Sequence, residues 1–215
     1  MAIEDNPTPP RKPRQDHLII QSMIHPGARV LDIGCGDGAL LELLRESRNI
    51  DGRGIEISQK NVNQSVARGL SVIQGDADHD LVNYPDASFD YALLSLTIQA
   101  TKNPRTVLEQ LLRIGEHAIV SFPNFGHWLI RWQLLALGRM PVTDKLPEQW
   151  YDTPNIHFCT IRDFVTLCEE IDAVVEHALA INRKGEPLNA STPLFIQNLV
   201  GREAVFMLTK NKSKT

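Results

Sequence analysis

The stretch Val30-Leu31-Asp32-Ile33-Gly34-Cys35-Gly36-Asp37-Gly38, followed at once by Ala39-Leu40-Leu41-Glu42-Leu43-Leu44, constrains this chain more than any other. A short apolar run with an acid near its end passes into a glycine-rich turn and then into a helix-patterned segment. Glycine reaches positive φ at little steric cost and lets a ligand lie against bare backbone. The helix that follows turns its unpaired N–H groups and the positive end of its dipole toward the same place. A strand, glycine turn and helix in this order open a nucleotide-binding α/β unit. Which nucleotide it takes has to be read from the residues around the turn.

Size and charge narrow the context. The 215 residues are enough for one α/β domain with a substantial core. A formal net charge of −4 argues against a nucleic-acid partner, whose footprint is a basic excess. The clusters Arg11-Lys12-Pro13-Arg14 and Lys210-Asn211-Lys212 lie at the two ends and read as solvated tails. Cys35, Cys159 and Cys168 are too few and too scattered for a disulfide framework, which suits a reducing, cytoplasmic compartment. No apolar run approaches the length of a membrane span, and no signal-peptide core is visible at the N-terminus. Neither a membrane nor a nucleic acid is therefore expected as a partner.

Along the chain, residues 1–13 carry four prolines and almost nothing apolar, which predicts a disordered lead-in. A short amphipathic helix is expected around residues 18–23, ending before Pro26-Gly27. Strand and helix then alternate, with strands at 29–33, 54–57, 70–74, 89–95 and 118–122, and helices at 39–47, 58–68 (capped by Ser58) and 104–114. The run Tyr91-Ala92-Leu93-Leu94 is continuous, as a strand buried on both faces requires. Thr160-Ile161-Arg162-Asp163 resembles a capping box that opens a further helix, and residues 173–181 and 203–209 read as late strands. Residues 123–159 break the alternation. They hold all three tryptophans of the chain, a helical stripe of Trp128, Leu129, Trp132, Leu135 and Ala136 that stops at Gly138, and the prolines Pro141, Pro147 and Pro154. One domain over residues 14–210, with an inserted lid or partner segment at 123–159, is the expected organisation.

The spacing Gly34-x-Gly36-x-x-Ala39, with Glu56 further on, formally satisfies a dinucleotide fingerprint. Two features favour S-adenosylmethionine (SAM) over NAD. Asp32 sits just before the glycines, where an anion repels a pyrophosphate and attracts an ammonium or sulfonium. Gly75-Asp76-Ala77 follows the third strand and sets another carboxylate where an adenine amine can donate to it. Three acids at three successive strand ends fit one ligand: Asp32 at the methionine end, Glu56 at the ribose diol, Asp76 at the adenine. The alternative is that these acids only cap the helices that follow. Asp37 reads as a first-turn helix acid, and Cys35 as a small space-filling residue with no activating base.

The stretch Val30–Gly38 resembles motif I of class I SAM-dependent methyltransferases, which implies a Rossmann-like, mostly parallel seven-stranded sheet with the last strand antiparallel. More narrowly, the chain resembles the MetW family of methionine-biosynthesis proteins. The likeness is carried by the motif I stretch through Leu41, Ser121-Phe122-Pro123-Asn124-Phe125-Gly126-His127-Trp128, Gly138-Arg139-Met140-Pro141-Val142, the stretch from Trp150 through Tyr151 and His157 to Thr160, and Asn198-Leu199-Val200-Gly201. After the fourth strand the family tends to have Gln-x-Leu-Gln; here Leu96 stands first and Gln99 is retained. The resemblance implies SAM as cofactor and a cofactor set of Asp32, Gly34, Cys35, Gly36, Gly38, Glu56, Asp76, Ala77, Ser95 and Gln99. It also implies action alongside homoserine O-acyltransferase (MetX), with the SAM pocket as a sensor of the pathway's end product.

Methyl transfer from SAM is an in-line displacement that needs a base only when the acceptor must lose a proton. His127, Tyr151 and His157 in the insertion are the candidates, each set against a structural hydrogen bond in an aromatic-rich segment. His157 and Cys159 do not make a metal site, which needs four well-spaced ligands. Three readings stand: a SAM-binding partner or regulator in methionine synthesis, a SAM-dependent methyltransferase on a small-molecule acceptor, and a NAD-dependent oxidoreductase.

Overall fold

The structure is a computed structural model and describes residues 13–143, 146–189 and 191–211. The expected lead-in at residues 1–13 lies outside the described residues except for Pro13. Seven strands form one sheet in the order β3-β2-β1-β4-β5-β7-β6. They are β1 (Arg29–Ile33), β2 (Asp51–Glu56), β3 (Ser71–Gln74), β4 (Phe89–Ser95), β5 (Gly115–Pro123), β6 (Ala173–Ile181) and β7 (Glu203–Lys210). Strands β1 to β5 pair in parallel, and β7 runs antiparallel between β5 and β6. The helices are α1 (Gln15–Met23), α2 (Ala39–Arg48), α3 (Gln59–Ala67), α4 (Pro104–Ile114), α5 (Trp128–Leu137), α6 (Ile161–Glu170) and α7 (Leu194–Val200). The Rossmann-like α/β architecture expected from the alternation is present. α7 was not anticipated; the helix is only seven residues long and is interrupted by Gln197 and Asn198.

The side-chain period of two divides the strands between two cores. Leu31, Ala92, Leu94, Val120 and Phe206 pack under α4 and α6. Val30, Leu93, Ile119 and Val205 pack under α1 and α2, which bring Ile20, Leu40, Leu41 and Leu44. This explains the continuous apolar run in β4: every residue faces one helical layer or the other. On the first face, Phe122, Phe164 and Phe206 meet with ring centroids 4.6–5.8 Å apart and fix α6 to β5 and β7. The Thr160–Asp163 capping box forms in both directions. Ser58 occupies the N-cap of α3 without a side-chain cap bond; the nearby Glu56 carboxylate instead accepts the Ser58 N–H at 2.9 Å.

Period two also builds the floor of the site. Two residues beyond Val30, Leu93 and Ile119, on the same face, stand Asp32, Ser95 and Ser121. Asp32 is in register with Leu93, and Ser95 with Ser121. The carboxyl ends of β1, β4 and β5 therefore offer polar groups on the α1 side of the sheet, where α/β folds bind ligands.

Candidate functional site

All three glycines of the turn have positive φ: +69° at Gly34, +57° at Gly36 and +81° at Gly38. Their surroundings differ. A Cβ on Gly34 would meet the Thr97 side chain at 2.5 Å, and one on Gly38 would collide with the Leu70 side chain. A Cβ on Gly36 would meet nothing within 4 Å. Gly34 and Gly38 let the chain fold tightly, and Gly36 leaves bare backbone facing open space. Gly34→Ala is expected to cost about 1–3 kcal/mol, because it adds left-handed strain to a clash with Thr97. Chemical denaturation measures this, and an unchanged midpoint would contradict it.

The turn opens on a crevice of about 990 Å³, bordered by Arg14, His17, Asp32, Gly34, Gly36 and Ser95 among others. Asp32 is 1% exposed, and its Oδ1 has no hydrogen-bond partner. Burial, reinforced by the charges of Glu56 and Asp16 and opposed by Arg14, pushes its pKa up to about 7. A buried acid oxygen left unmatched at the edge of a crevice has an acceptor position to offer a donor that enters it. Cys35 is also buried, and burial with the neighbouring Asp32 and Glu56 charges pushes its thiol well above the ordinary range. It fills space beside the turn and also borders the crevice.

Glu56 accepts the Gly36 N–H at 2.8 Å, the Ser58 N–H at 2.9 Å and the Asn61 side-chain amide at 3.4 Å. Three of a carboxylate's roughly four acceptor positions are thus occupied, so a ribose diol engages it fully only by displacing one of these donors. Asp76 accepts the Asp78 N–H at 2.9 Å and contacts His79 Nδ1 at 3.0 Å. The Asp78 N–H, opposed by partial burial and aided by the His79 ring, holds its pKa below the usual range. Asp76 therefore does act as a turn-capping acid, and Ala77 packs partly buried beside the core. Asp37 also caps, accepting the Ala39 N–H at 3.4 Å and pairing with Arg68 at 3.3 Å.

One tail reading is corrected. Arg14, although its side chain is 44% exposed, is bonded into the fold and is not a loose tail residue. Its Nε and Nη2 donate to the two Asp16 carboxylate oxygens at 3.0 and 2.6 Å, and Nη2 also donates to Ser95 Oγ at 2.6 Å. Asp16 is fully buried and also accepts from Ser95 Oγ at 3.0 Å and Ser121 Oγ at 3.1 Å. Burial works against its charge, but the Arg14 bonds outweigh it and bring its pKa to about 2. Ser95, expected at the cofactor, borders the crevice with its hydroxyl held between Arg14 and Asp16. His17 is buried beside them; burial and the Arg14 charge lower its pKa to about 4, so it is neutral at pH 7. The sequence signal was a basic residue two positions before an acid at the start of an amphipathic segment.

The insertion residues stand apart from the crevice. None of His127, Tyr151 and His157 borders it. His127 caps α5, its Nδ1 accepting the Leu129 N–H at 3.2 Å. Burial, with the Arg202 and Arg183 charges, lowers its pKa. Tyr151 is exposed beside Trp150. His157 is tethered by its backbone N–H to the Gln99 carbonyl at 3.0 Å, as is Ile156 at 2.9 Å. Gln99 is itself buried, donates to the Leu96 carbonyl at 3.1 Å, and does not border the crevice.

Asn124 was quoted in the sequence only as part of a signature, and it proves to be a hub. Its buried amide donates to the Asn198 and Gly201 carbonyls at 2.8 and 2.7 Å and accepts the Gly126 and Ile161 N–H groups at 2.9 and 3.2 Å. It ties the end of β5 to the start of α6 and to both ends of Asn198–Gly201. From this hub α5 projects with Ile130 as its buried residue. Trp128, Trp132, Leu135 and Leu137 are all exposed, Leu135 to 82%. The expected apolar stripe exists and faces outward. Among the described residues, no group of three His, Cys, Asp or Glu side chains is arranged to hold a metal, and no helix is long and apolar enough to cross a membrane.

This fold and crevice define the class. The chain resembles a SAM-dependent methyltransferase of Thermotoga maritima described as a possible histamine N-methyltransferase, with TM-score 0.64, 21% identity, and coverage of 91% of this chain and 87% of that one. It resembles a SAM-dependent methyltransferase of Mesorhizobium loti equally, with TM-score 0.64, 18% identity, and coverage of 90% and 97%. At these identities the likeness establishes the class I methyltransferase fold. The family model for methionine biosynthesis protein MetW matches residues 14–208, and the chain belongs to that family. A bifunctional methionine biosynthesis protein MetXA/MetW of Rhodopirellula baltica is 35% identical over 188 residues, which span 81% of this chain and 30% of that protein's length.

Proposed function

We propose that this protein binds SAM in the crevice at the ends of β1 and β4 and acts with homoserine O-acyltransferase as its partner or regulator in methionine synthesis. The observation that carries the SAM reading is the buried Asp32 carboxylate, unmatched at Oδ1, at the mouth of a glycine turn whose middle glycine faces open space. It suits the ammonium of SAM and repels the pyrophosphate of NAD. In this reading Asp32 takes the methionine end inside the crevice, and the nucleoside extends past its lining, which Glu56, Asp76 and Ala77 do not border, to Glu56 at the ribose and Asp76 with Ala77 at the adenine. Gly34, Gly36 and Gly38 shape the turn, Ser95 borders the crevice, and SAM itself supplies an electrophilic methyl group. The partner reading draws on the Rhodopirellula protein, whose printed name joins MetXA and MetW in one chain. The exposed apolar side chains of α5 supply a surface for such a contact.

Active methyl transfer is the alternative, supported by the names of the structural neighbours. Against it stand the commitment of the His127 ring to a helix cap and the absence of Tyr151 and His157 from the crevice lining. One experiment separates the readings: SAM titrated calorimetrically into the protein alone and with stoichiometric homoserine O-acyltransferase. A regulator changes its SAM affinity on binding the partner, by about 5- to 150-fold for typical coupling, and SAM changes partner affinity by the same factor. Identical affinities with and without the acyltransferase would reject regulation. Labelled methyl appearing on a cell metabolite would favour the transferase.

A further inference from the structure

Resting on the SAM reading, we infer that residues 96–99, which follow β4, couple the crevice to the insertion, so that a ligand on the glycine turn tightens the hold of the fold on residues 156–158. One end of this segment touches the turn. Thr97 fills the space beside the bare Cα of Gly34, and its Oγ1 donates to the Ser95 carbonyl at 3.0 Å and reaches the Gly34 carbonyl at 3.5 Å. Gly34 and Ser95 both border the crevice. The other end holds the insertion. The Gln99 carbonyl accepts the Ile156 and His157 N–H groups at 2.9 and 3.0 Å, which uses both of its acceptor positions. Two further contacts seat that stretch: His157 Nε2 lies 3.3 Å from the Lys102 carbonyl, and Phe158 packs on Phe125 with ring centroids 4.3 Å apart. Ile156 and Phe158 are nonetheless exposed, as are Trp150 and Tyr151 before them. The tethered stretch therefore belongs to the apolar outer surface that a partner would meet.

Between its two ends the segment is stiff and strained. Leu96 sits at φ +51°, a left-handed conformation that costs a leucine about 1–3 kcal/mol. Its N–H is held by the Ser121 carbonyl at 3.0 Å and hydroxyl at 3.1 Å, and its carbonyl accepts the Gln99 side-chain amide at 3.1 Å. Ile98 is buried in the core. Gln99 Oε1 is buried with no hydrogen-bond partner. A strained residue and an orphaned acceptor within four positions mark a segment held by its surroundings, and such strain clusters at ligand clamps and switches. The direction of the coupling follows from freedom lost. A ligand lying on the turn restricts Gly34 and Ser95, and Thr97, wedged against both, is restricted with them. Release of Ile156 and His157 requires this segment to move, so it becomes rarer when the ligand is bound.

The test is hydrogen exchange of the Ile156 and His157 amides on the full chain, without and with S-adenosylhomocysteine at a saturation verified by calorimetry. Exchange of both amides is expected to slow by about 5- to 150-fold, the range of typical coupling. The Ala87 amide, bonded to the Arg113 carbonyl at 2.9 Å ahead of β4, is the control and stays within about twofold. Thr97→Ala, which removes the wedge against Gly34, is expected to bind the ligand and to lose the slowing at Ile156 and His157. If that variant does not fold, Thr97→Ser carries the comparison, because it keeps the hydroxyl and loses the methyl group nearest Gly34. Ligand bound with no slowing overturns the inference. So does equal slowing at Ala87, which is global stabilisation, or slowing that survives in both Thr97 variants. Failure of the wild-type protein to bind S-adenosylhomocysteine at all overturns the SAM reading itself, and this inference with it.

Discussion

Asp32→Asn makes the ligand-free protein more stable above neutral pH and a poorer binder of SAM. The folded-state pKa of Asp32 is raised from 3.8 to about 7. Its protonated form therefore contributes stability that is fully present below about pH 4 and is lost as pH rises through about 7. Asparagine keeps the shape and never ionises, so the two proteins diverge across that window. By pH 8 the variant is ahead by about 2–4 kcal/mol, from roughly three units at about 1.4 kcal/mol each, less the cost of burying an amide. Binding moves the other way: the ligand's ammonium loses its ionic partner, at about 10- to 100-fold in affinity. Wild-type affinity rises with pH as Asp32 ionises near 7, then falls as the ligand's own amine deprotonates near 8. Denaturation and titration at pH 5 and 8 measure all of this; a variant less stable at pH 8 with unchanged affinity would contradict it.

Asn124→Ala is expected to destabilise the protein by about 3–5 kcal/mol. The substitution strands two carbonyls and two N–H groups in a buried site, each at about 1–3 kcal/mol before partial relief by water. Asn124→Asp fares little better, because a carboxylate placed against the Asn198 and Gly201 carbonyls donates nothing when ionised. The damage spreads locally to the entries of α5 and α6, since Gly126 and Ile161 both depend on the same oxygen. Hydrogen exchange of those two amides reports it directly. Wild-type protection in the alanine variant would show that the hub is dispensable.

The sheet was legible from the sequence because its strands alternate with helices and because β4 is apolar throughout, as burial between two layers demands. The ends of β2 and β5 were read short: β2 starts with Asp51-Gly52-Arg53 and β5 with Gly115-Glu116-His117, where exposure allows polar residues that carry no strand pattern. The positive-φ glycines of the turn were legible in the sequence, since glycine's conformational freedom is a local property. Arg14, Asp16 and Ser121 were missed as a group because their connection is long-range: Asp16 and Ser121 lie 105 residues apart in the chain. Asn124 was missed for the same reason. An asparagine in a loop gives no local sign that its amide spans three segments. The tryptophan stripe of α5 was visible, yet its outward direction was not, because periodicity marks a face and not what covers it.

The central claim is that Asp32 and the glycine turn receive the amino-acid end of a sulfonium nucleoside. A crystal structure of the protein soaked with S-adenosylhomocysteine tests it most directly. The account predicts the ligand's amino group against Asp32 Oδ1 and its nucleoside running past Gly36 toward Glu56. An empty crevice at saturating ligand, or a dinucleotide pyrophosphate seated on the turn in a parallel NAD soak, would contradict it.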